Sequence, residues 1–470
     1  MDLLDHPFDV PLDAIVFDHH DDGDDVSTTS SSGLLTIDSL PPEILSAIMT
    51  FVPAVPRNER HTPAEVRLSH VSRHWRNVAL ATPQLWTCIS IYSERSLAAA
   101  PVYIARSGTV LLLNIRVDIY TLDKAGGPEN GATTSEVIYK TRDLLRPIFH
   151  RVCGFVLFTY SEHTLVTLLR CISKNSTPAL EQMRMIYARP VRSPSTLGPL
   201  PRLFAHGMPK IRLIESDISG CFVPETLTSL TALHLHSLTH SGTFPFETLR
   251  ELLKAPKCLQ SLSLQGSMDH VDWPLHTNSP VFTLPDLRYL RIMDDGTLAV
   301  KFLLSVDAPK LESLWLDTSS EQYRTLFEAP QIVQRSDAGT PKFGALRHLT
   351  WVSYTFGDTI KLAALFPTVT HLHFPHAIFT FHSKNFRTAL KNHWGGVHTL
   401  VLSMPRDALI GKMLDSLLDC TIPDILVDED MLKLLRKRYP INPIARRAKS
   451  MQGYSEYWWD EGLKRRFGEL

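Results

Sequence analysis

Two different patterns of hydrophobic and polar residues follow one another along the chain. Within residues 37–88 the apolar positions recur every three or four residues, as in "SLPPEILSAIMTF", and this spacing predicts amphipathic helices. Pro41 and Pro42 stand where the first amides of a helix have no intrahelical acceptor, so they predict its start. From about residue 108 the spacing changes to a repeated unit. The sequence therefore predicts a small helical domain followed by a larger repeat domain.

A second helix is predicted in "VRLSHVSRHWRNVAL", because one of its faces carries an apolar stripe: Leu68, Val71, Trp75 and Val78. The segment "ATPQLW" follows it and contains a proline turn. We expect this turn to bring Leu85 and Trp86 back onto the two helices.

The repeated unit consists of an apolar residue, two others, an apolar residue, one other and a final apolar residue. Its middle position defines nine anchors in eight steps of about 27 residues: Met183, Ile214, Leu233, Leu262, Leu290, Leu314, Leu349, Leu372 and Leu400. Weaker copies begin at Val110 and Val152. Leucine-rich repeats have this length, and no unit could bury its apolar face alone. The predicted fold is α/β, with a helical domain followed by an irregular leucine-rich-repeat solenoid and a curved parallel sheet.

Composition and pattern together give five predicted regions. These are a disordered acidic tail at 1–36, a helical domain at 37–88, a connecting segment at 89–107, the repeat domain at 108–403 and a C-terminal capping region at 404–470.

Charge and cysteine content exclude several classes of function. The net charge is −1, from 48 basic and 49 acidic residues, so no global field attracts nucleic acid or an anionic membrane. The six cysteines are far apart, which disfavours both a disulfide framework and a zinc finger. No apolar run is long enough for a membrane span, and the acidic N-terminus lacks a secretory signal. We expect a cytoplasmic or nuclear protein without a cofactor.

The two halves of the helical pattern resemble a known motif. "LPPEILSAIM" followed by "VSRHWRNVALATPQLW" is similar to an F-box, in the F-box-like version with a leucine-rich tail that is common in mushroom-forming (basidiomycete) fungi. Ser72 departs from that pattern, which usually has cysteine there. The resemblance implies the substrate receptor of a Skp–cullin–F-box ubiquitin ligase, which performs no chemistry itself. Its partners would be a Skp-type adaptor, a cullin reached through the adaptor, and an unknown protein substrate.

The resemblance also implies which residues bind the adaptor: Leu40, Pro41, Pro42, Ile44, Leu45, Ile48, Val71, Trp75, Leu85 and Trp86. At each of these positions two interpretations stay open, contact with the partner or packing inside the F-box. Trp75 in particular would either anchor the interface or hold the helices together.

The repeat strands supply a candidate substrate surface, since residues that flank each anchor point away from the core. Tyr289, Arg291, Met293 and Trp315 are of types enriched in protein interfaces, and His348 and His371 lie on strands beyond them. The mixed chemistry favours a protein ligand over nucleic acid. A metal site formed by His348, His371 and His373 is the sharper alternative to solvent-exposed histidines on the strands, and it is disfavoured because no acidic partner is evident.

Two other functions remain as alternatives. The chain could be a leucine-rich-repeat scaffold that acts outside a ubiquitin ligase. It could also be a metal-dependent hydrolase, because "AIVFDHH" at 14–20 matches part of a phosphoesterase signature. That signature needs further aspartates upstream, where only a short tail precedes it. No other catalytic motif is present in the sequence.

Overall fold

A computed structural model of the chain describes residues 37–52, 62–119, 131–159, 162–173, 175–187, 202–203, 207–216, 222–236, 246–266, 271, 273, 282–294, 298–318, 342–352, 359–375, 383–402, 417 and 422–450.

The N-terminal part is a small helical bundle. Its helices are α1 (Pro42–Thr50), α2 (Ala64–Ser69) and α3 (Arg73–Leu80), with short 3-10 turns at Ile37–Ser39 and Pro83–Trp86. Helix α1 begins as the two prolines predicted, and the Pro41 carbonyl accepts hydrogen bonds from the amides of Ile44 and Leu45. The bundle has its own core, which contains Leu45, Met49, Trp75, Val78 and Ala79.

The prediction of one continuous helix around Trp75 is wrong. The chain leaves the helical path after Ser69 and re-enters it at Arg73, so Val71 lies between α2 and α3. Ser72 starts the new helix, because its hydroxyl accepts a hydrogen bond from the Trp75 amide at 3.2 Å. Serine is among the residues preferred at this N-cap position.

A large parallel sheet follows the bundle. Its strands are β1 (Cys88–Ile91), β2 (Leu113–Asp118), β3 (Val152–Thr159), β4 (Gln182–Tyr187), β5 (Leu213–Ser216), β6 (Ala232–His236), β7 (Ser261–Gln265), β9 (Tyr289–Asp294), β11 (Ser313–Thr318), β12 (His348–Val352), β13 (His371–Phe374), β14 (Thr399–Leu402), β15 (Asp424–Val427) and β16 (Lys449–Ser450). These fourteen strands lie side by side in chain order. The short strands β8 (Phe282–Thr283) and β10 (Val306–Asp307) pair with each other.

Helices connect many of the strands. They are α4 (Glu94–Arg106), α5 (Gly131–Leu145), α6 (Glu162–Ile172), α7 (Phe246–Lys254), α8 (Leu298–Ser305), α9 (Thr359–Leu365), α10 (Ser383–Asn392), α11 (Glu429–Arg438) and α12 (Pro443–Arg447). Their apolar faces share one core with the sheet; in α7, for example, Leu249 and Leu253 are buried there.

The nine anchors lie in register across the sheet, as the sequence predicted. Leu233 pairs with Leu262, Leu262 with Leu290, and the series continues without a slip from Met183 to Leu400. Each unit is tied to the next by the backbone; the Gln260 carbonyl, for example, accepts from the amides of Arg288 and Tyr289. The repeat spacing therefore sets the alignment of neighbouring strands.

The weak copy at Val110 was assigned the wrong register. Its spacing made Leu113 the anchor, but Leu113 pairs with Val152, and Ile115 pairs with the true anchor Phe155. The run "VLLLNI" is apolar at so many positions that the spacing permits two registers. Val110 itself is exposed.

The sheet also extends beyond the range assigned to the repeat domain. Strand β1 lies before residue 108, and β15 and β16 lie after residue 403. Both extensions contain the repeated unit: Trp86, Ile89 and Ile91 at one end, and Ile422, Ile425 and Val427 at the other. All six side chains are buried. The repeated unit therefore occurs in the sequence on both sides of the range that was assigned to the repeat domain.

The two faces of the sheet differ in chemistry. The anchors point into the main core, as do the residues two positions after them except the buried Ser216. The position between them faces the other side, and from β4 to β13 it reads Arg184, Glu215, His234, Ser263, Arg291, Trp315, Thr350 and His373. We call this side the polar face.

Candidate interaction surfaces

Helix α1 is apolar on two sides. Leu45 and Met49 are fully buried against α3, whereas Ile44 and Ile48 are 50% and 41% exposed. Phe51, directly after the helix, continues the outward side and is 85% exposed. The spacing of 44, 48 and 51 places these residues on one helical stripe. We call Ile44, Ile48 and Phe51 the outer stripe.

Three of the residues implied as adaptor-binding lie inside the protein. Leu45 and Trp75 belong to the core of the bundle, and Trp86 belongs to the main core. Trp86 is the first apolar residue of the first repeat unit, equivalent to Leu259 or Leu287 in later units, and this explains its burial. At these three positions the burial favours the interpretation that the side chains pack inside the protein.

Trp86 also joins the bundle to the sheet. Its indole Nε1–H donates to the Ala79 carbonyl of α3 at 3.0 Å, and its ring packs edge-on against Tyr103 of α4. The Tyr103 hydroxyl in turn donates to the buried Glu65 carboxylate of α2 at 2.8 Å. Leu85, only partly buried, packs against both cores. The bundle is therefore fixed to the first strand–helix unit.

The remaining implied residues are accessible. Pro41, Pro42 and Val71 are exposed and Leu40 is half-buried. The sequence reasoning missed Phe51 and Leu80, both exposed. Phe51 could have been found by extending the 44–48 spacing by three residues. Seven of the twelve large exposed hydrophobic residues in the described part of the chain lie in the bundle: Ile37, Ile44, Ile48, Phe51, Val52, Val71 and Leu80.

On the polar face, the predicted substrate residues form two groups. In the first, the Arg291 guanidinium carbon stands 4.7 Å from the centre of the Trp315 ring, a cation–π contact. The opposite neighbour of Trp315 is His373, whose ring centre is 6.3 Å away. Tyr289 and Met293 flank Arg291 on β9 and are half-buried. We call Arg291, Trp315, Thr350 and His373 the Trp315 cluster.

The second group is a stack of histidines. The rings of His348 and His371 lie 4.2 Å apart and nearly parallel, and His398 meets His371 edge-on at 4.4 Å. Burial lowers the pKa of His371 to about 4, with smaller contributions from the other two imidazoles. No set of residues suited to a metal ion occurs among the residues that the structure describes.

The expectation of solvent-exposed histidines on the strands is wrong for His373, and His234 on β6 is buried as well. His234 and His373 are 8% and 4% exposed, although both lie on the polar face. Burial lowers the pKa of His234 to about 4, although the nearby Glu215 carboxylate acts in the opposite direction. His234 is thus neutral at pH 7.

A polar network that the sequence did not reveal lies beside His234. Glu215 forms an ion pair with Arg184 at 3.1 Å and bonds His236 at 3.2 Å, and His236 also contacts the Gln265 amide oxygen at 2.6 Å. Burial would raise the pKa of Glu215, but the His236 bond and the Arg184 charge outweigh it and lower the pKa to about 2. The carboxylate is therefore charged and internally compensated.

The remaining sequence features concern the N-terminal segment, the cysteines and membrane spans. The "AIVFDHH" segment and the acidic tail lie outside the described residues. Cys88, Cys153 and Cys258 are free thiols. None of the helices in the described ranges combines the length and apolarity that crossing a bilayer requires.

Comparison with known proteins identifies the bundle. The family model described as F-box-like matches residues 37–92, a range that contains α1 to α3, the Trp86 turn and β1. No curated protein matches the chain. The chain therefore contains an F-box-like domain at residues 37–92.

Proposed function

We propose that this protein is the substrate-recognition subunit of a Skp–cullin–F-box ubiquitin ligase, in the cytoplasm or nucleus. The F-box-like domain binds a Skp-type adaptor and, through it, a cullin. The sheet domain recruits a protein target, and the protein catalyses no reaction itself. The role of the sheet domain and the absence of catalysis rest on the resemblance described above.

The outer stripe is the observation that carries this proposal. Three large apolar side chains of α1 and the residue after it are exposed to solvent. The opposite side of the helix is packed in the bundle core. Fully burying one exposed isoleucine or phenylalanine contributes about 1.5–3 kcal/mol, and Ile44 and Ile48, already half buried, contribute about half of that each. A partner that covers Ile44, Ile48 and Phe51 therefore gains substantial affinity, in the manner of a helix docked in an apolar groove.

We further propose that the fourteen-stranded region is an irregular leucine-rich-repeat solenoid with a curved parallel sheet. Support comes from the spacing of about 27 residues, the in-register anchors and the backbone bonds between successive units. The polar face then corresponds to the inner, substrate-binding side.

Co-purification tests the proposal. The full chain, tagged and co-expressed with a Skp-type adaptor and a cullin, is expected to capture both. The Ile44→Glu/Ile48→Glu variant is expected to lose them, because it would bury two charges in the interface. Val110→Glu is the matched control, since Val110 is 86% exposed outside the bundle. Failure of the wild type to capture the adaptor would overturn the ligase function and leave a scaffold acting elsewhere.

A further inference from the structure

Three buried polar groups meet on the polar face of β11 and β12 without a hydrogen-bond partner. They are the Ser313 hydroxyl, the Trp315 indole Nε1–H and the Thr350 hydroxyl. Ser313 and Thr350 have no exposed surface, and Trp315 is 7% exposed. Most buried polar side-chain atoms in proteins are hydrogen-bonded, so three exceptions at adjacent positions need an explanation.

The sheet brings these groups together. Ser313 and Trp315 are two residues apart on β11 and therefore share a face, and Thr350 is the register partner of Trp315 on β12. The Arg291 guanidinium lies over the Trp315 ring from the β9 side, and His373 meets the ring from the β13 side. The groups thus share one patch of the polar face around Trp315.

The fold does not require polarity at these positions. The residue equivalent to Thr350 is Val156 on β3 and Val401 on β14, and the residue equivalent to Ser313 is Ala232 on β6. All three of these apolar residues are buried, so the fold accepts apolar side chains at these positions. Polar groups that the fold does not need, and whose burial costs stability, are typical of binding sites.

The chemistry of the patch selects the ligand. An indole N–H can only donate a hydrogen bond, and both hydroxyls can also donate, so the missing partner is an acceptor. Arg291 adds a positive charge 4.7 Å from the ring, which favours an acceptor with negative charge. Carboxylate and phosphate oxygens share this chemistry.

We propose that Ser313, Trp315 and Thr350, together with Arg291, form a site for an anionic side chain of the protein substrate, carrying either a carboxylate or a phosphate. The inference rests on the proposed function, since it names the class of group that the receptor recognises. The indole nitrogen is covered in the free protein, so the Trp315 ring turns when the ligand enters. Arg291 then exchanges its contact with the ring for a contact with the anion.

Binding of defined peptide pools to the full chain tests this site. Four degenerate nonapeptide pools are used, with glutamate, phosphoserine, glutamine or serine fixed at the centre. We expect an anionic pool to be retained about tenfold more than its neutral counterpart, a ratio typical of one hydrogen bond to a charged group. Glutamate against glutamine reports a carboxylate ligand, and phosphoserine against serine reports a phosphate ligand. Equal retention of all four pools would overturn the proposal.

Thr350→Val separates binding from folding. Valine has nearly the shape of threonine and removes a hydroxyl that has no partner, so the midpoint of thermal unfolding should stay the same or rise. Retention of the preferred anionic pool should nevertheless fall about tenfold, and Ser313→Ala should act in the same direction. Thr141→Val is the matched control, because the Thr141 hydroxyl is also buried and unpartnered but lies on α5. Thr350→Val binding as tightly as wild type would contradict the site.

Capture of the Skp-type adaptor is measured on the same preparations. Adaptor binding without selection among the peptide pools would refute this site and leave the ligase function standing. Selection of an anionic pool by a chain that captures no adaptor would refute the ligase function and leave the site standing.

Discussion

Ile44 and Leu45 are adjacent in the sequence and equally apolar, yet the fold uses them in opposite ways. Leu45 fills the bundle core, and Ile44 stands half exposed on the outer stripe. Sequence spacing predicted an apolar side of the helix but could not divide its residues between core and surface, because that side is wider than the strip that the core can cover. Only the positions of α2 and α3 decide which side is inward.

Truncation of these two neighbours should separate stability from recognition. Leu45→Ala is expected to lower the free energy of unfolding by about 2–5 kcal/mol, because it leaves a cavity in the core. Ile44→Ala should change that free energy by no more than about 1 kcal/mol, since the side chain is already half exposed. Urea denaturation followed by circular dichroism measures both. Equal losses would contradict the assignment of the two faces.

His371 should make stability depend on pH. Its pKa falls to about 4 in the folded state, chiefly through burial, from an ordinary value of 6.5. Between pH 6.5 and 4 the unfolded chain therefore holds more protons at this site than the folded one, so stability decreases as the pH falls through that window. His371→Asn should reduce this slope in urea titrations at several pH values. An unchanged slope would show that His371 does not contribute.

At the scale of elements, the repeated unit predicted much of the sheet. The nine anchors were aligned correctly because a large apolar residue at every middle position, leucine in seven of the nine, leaves one register that buries all of them. Strand β2 was misplaced because its apolar run permits two registers. The break between α2 and α3 was missed because the apolar stripe continues across it, and only the capping role of Ser72 indicates it.

The Ser72 cap can be tested directly. Ser72→Ala removes the acceptor for the Trp75 amide and should lower stability by about 1 kcal/mol. Ser72→Asp should retain most of the wild-type stability, because aspartate also caps helix N-termini and suits the helix dipole. The midpoint of thermal unfolding compares the two. A larger loss with aspartate than with alanine would contradict the capping role.

At the scale of the whole molecule, Trp86 links recognition to architecture. Sequence resemblance assigned it to the adaptor surface, whereas the structure makes it the first core residue of the sheet and a hydrogen-bond donor to α3. Its assignment depends on a strand, β1, that pairs with β2 more than twenty residues later in the chain. Local sequence patterns do not show which strands pair over such a distance, so they could not predict that Trp86 is buried.

Trp86→Phe should therefore weaken the fold and not the interface. Loss of the bond to the Ala79 carbonyl and of part of the ring packing is expected to cost about 1–3 kcal/mol of unfolding free energy. The affinity for a Skp-type adaptor should stay within about twofold of wild type, because Trp86 is 1% exposed and is not part of the outer stripe. Parallel unfolding and binding measurements check both expectations. A large loss of affinity with unchanged stability would show instead that Trp86 contacts the adaptor.

The most direct test of the whole account is a calorimetric titration of a Skp-type adaptor into the full chain. We expect the wild type to bind, and the Ile44→Glu/Ile48→Glu variant to bind at least about a hundredfold more weakly while its unfolding midpoint stays close to wild type, because both positions face solvent. Equal affinities for the two proteins, or no binding by the wild type, would contradict the role of the outer stripe.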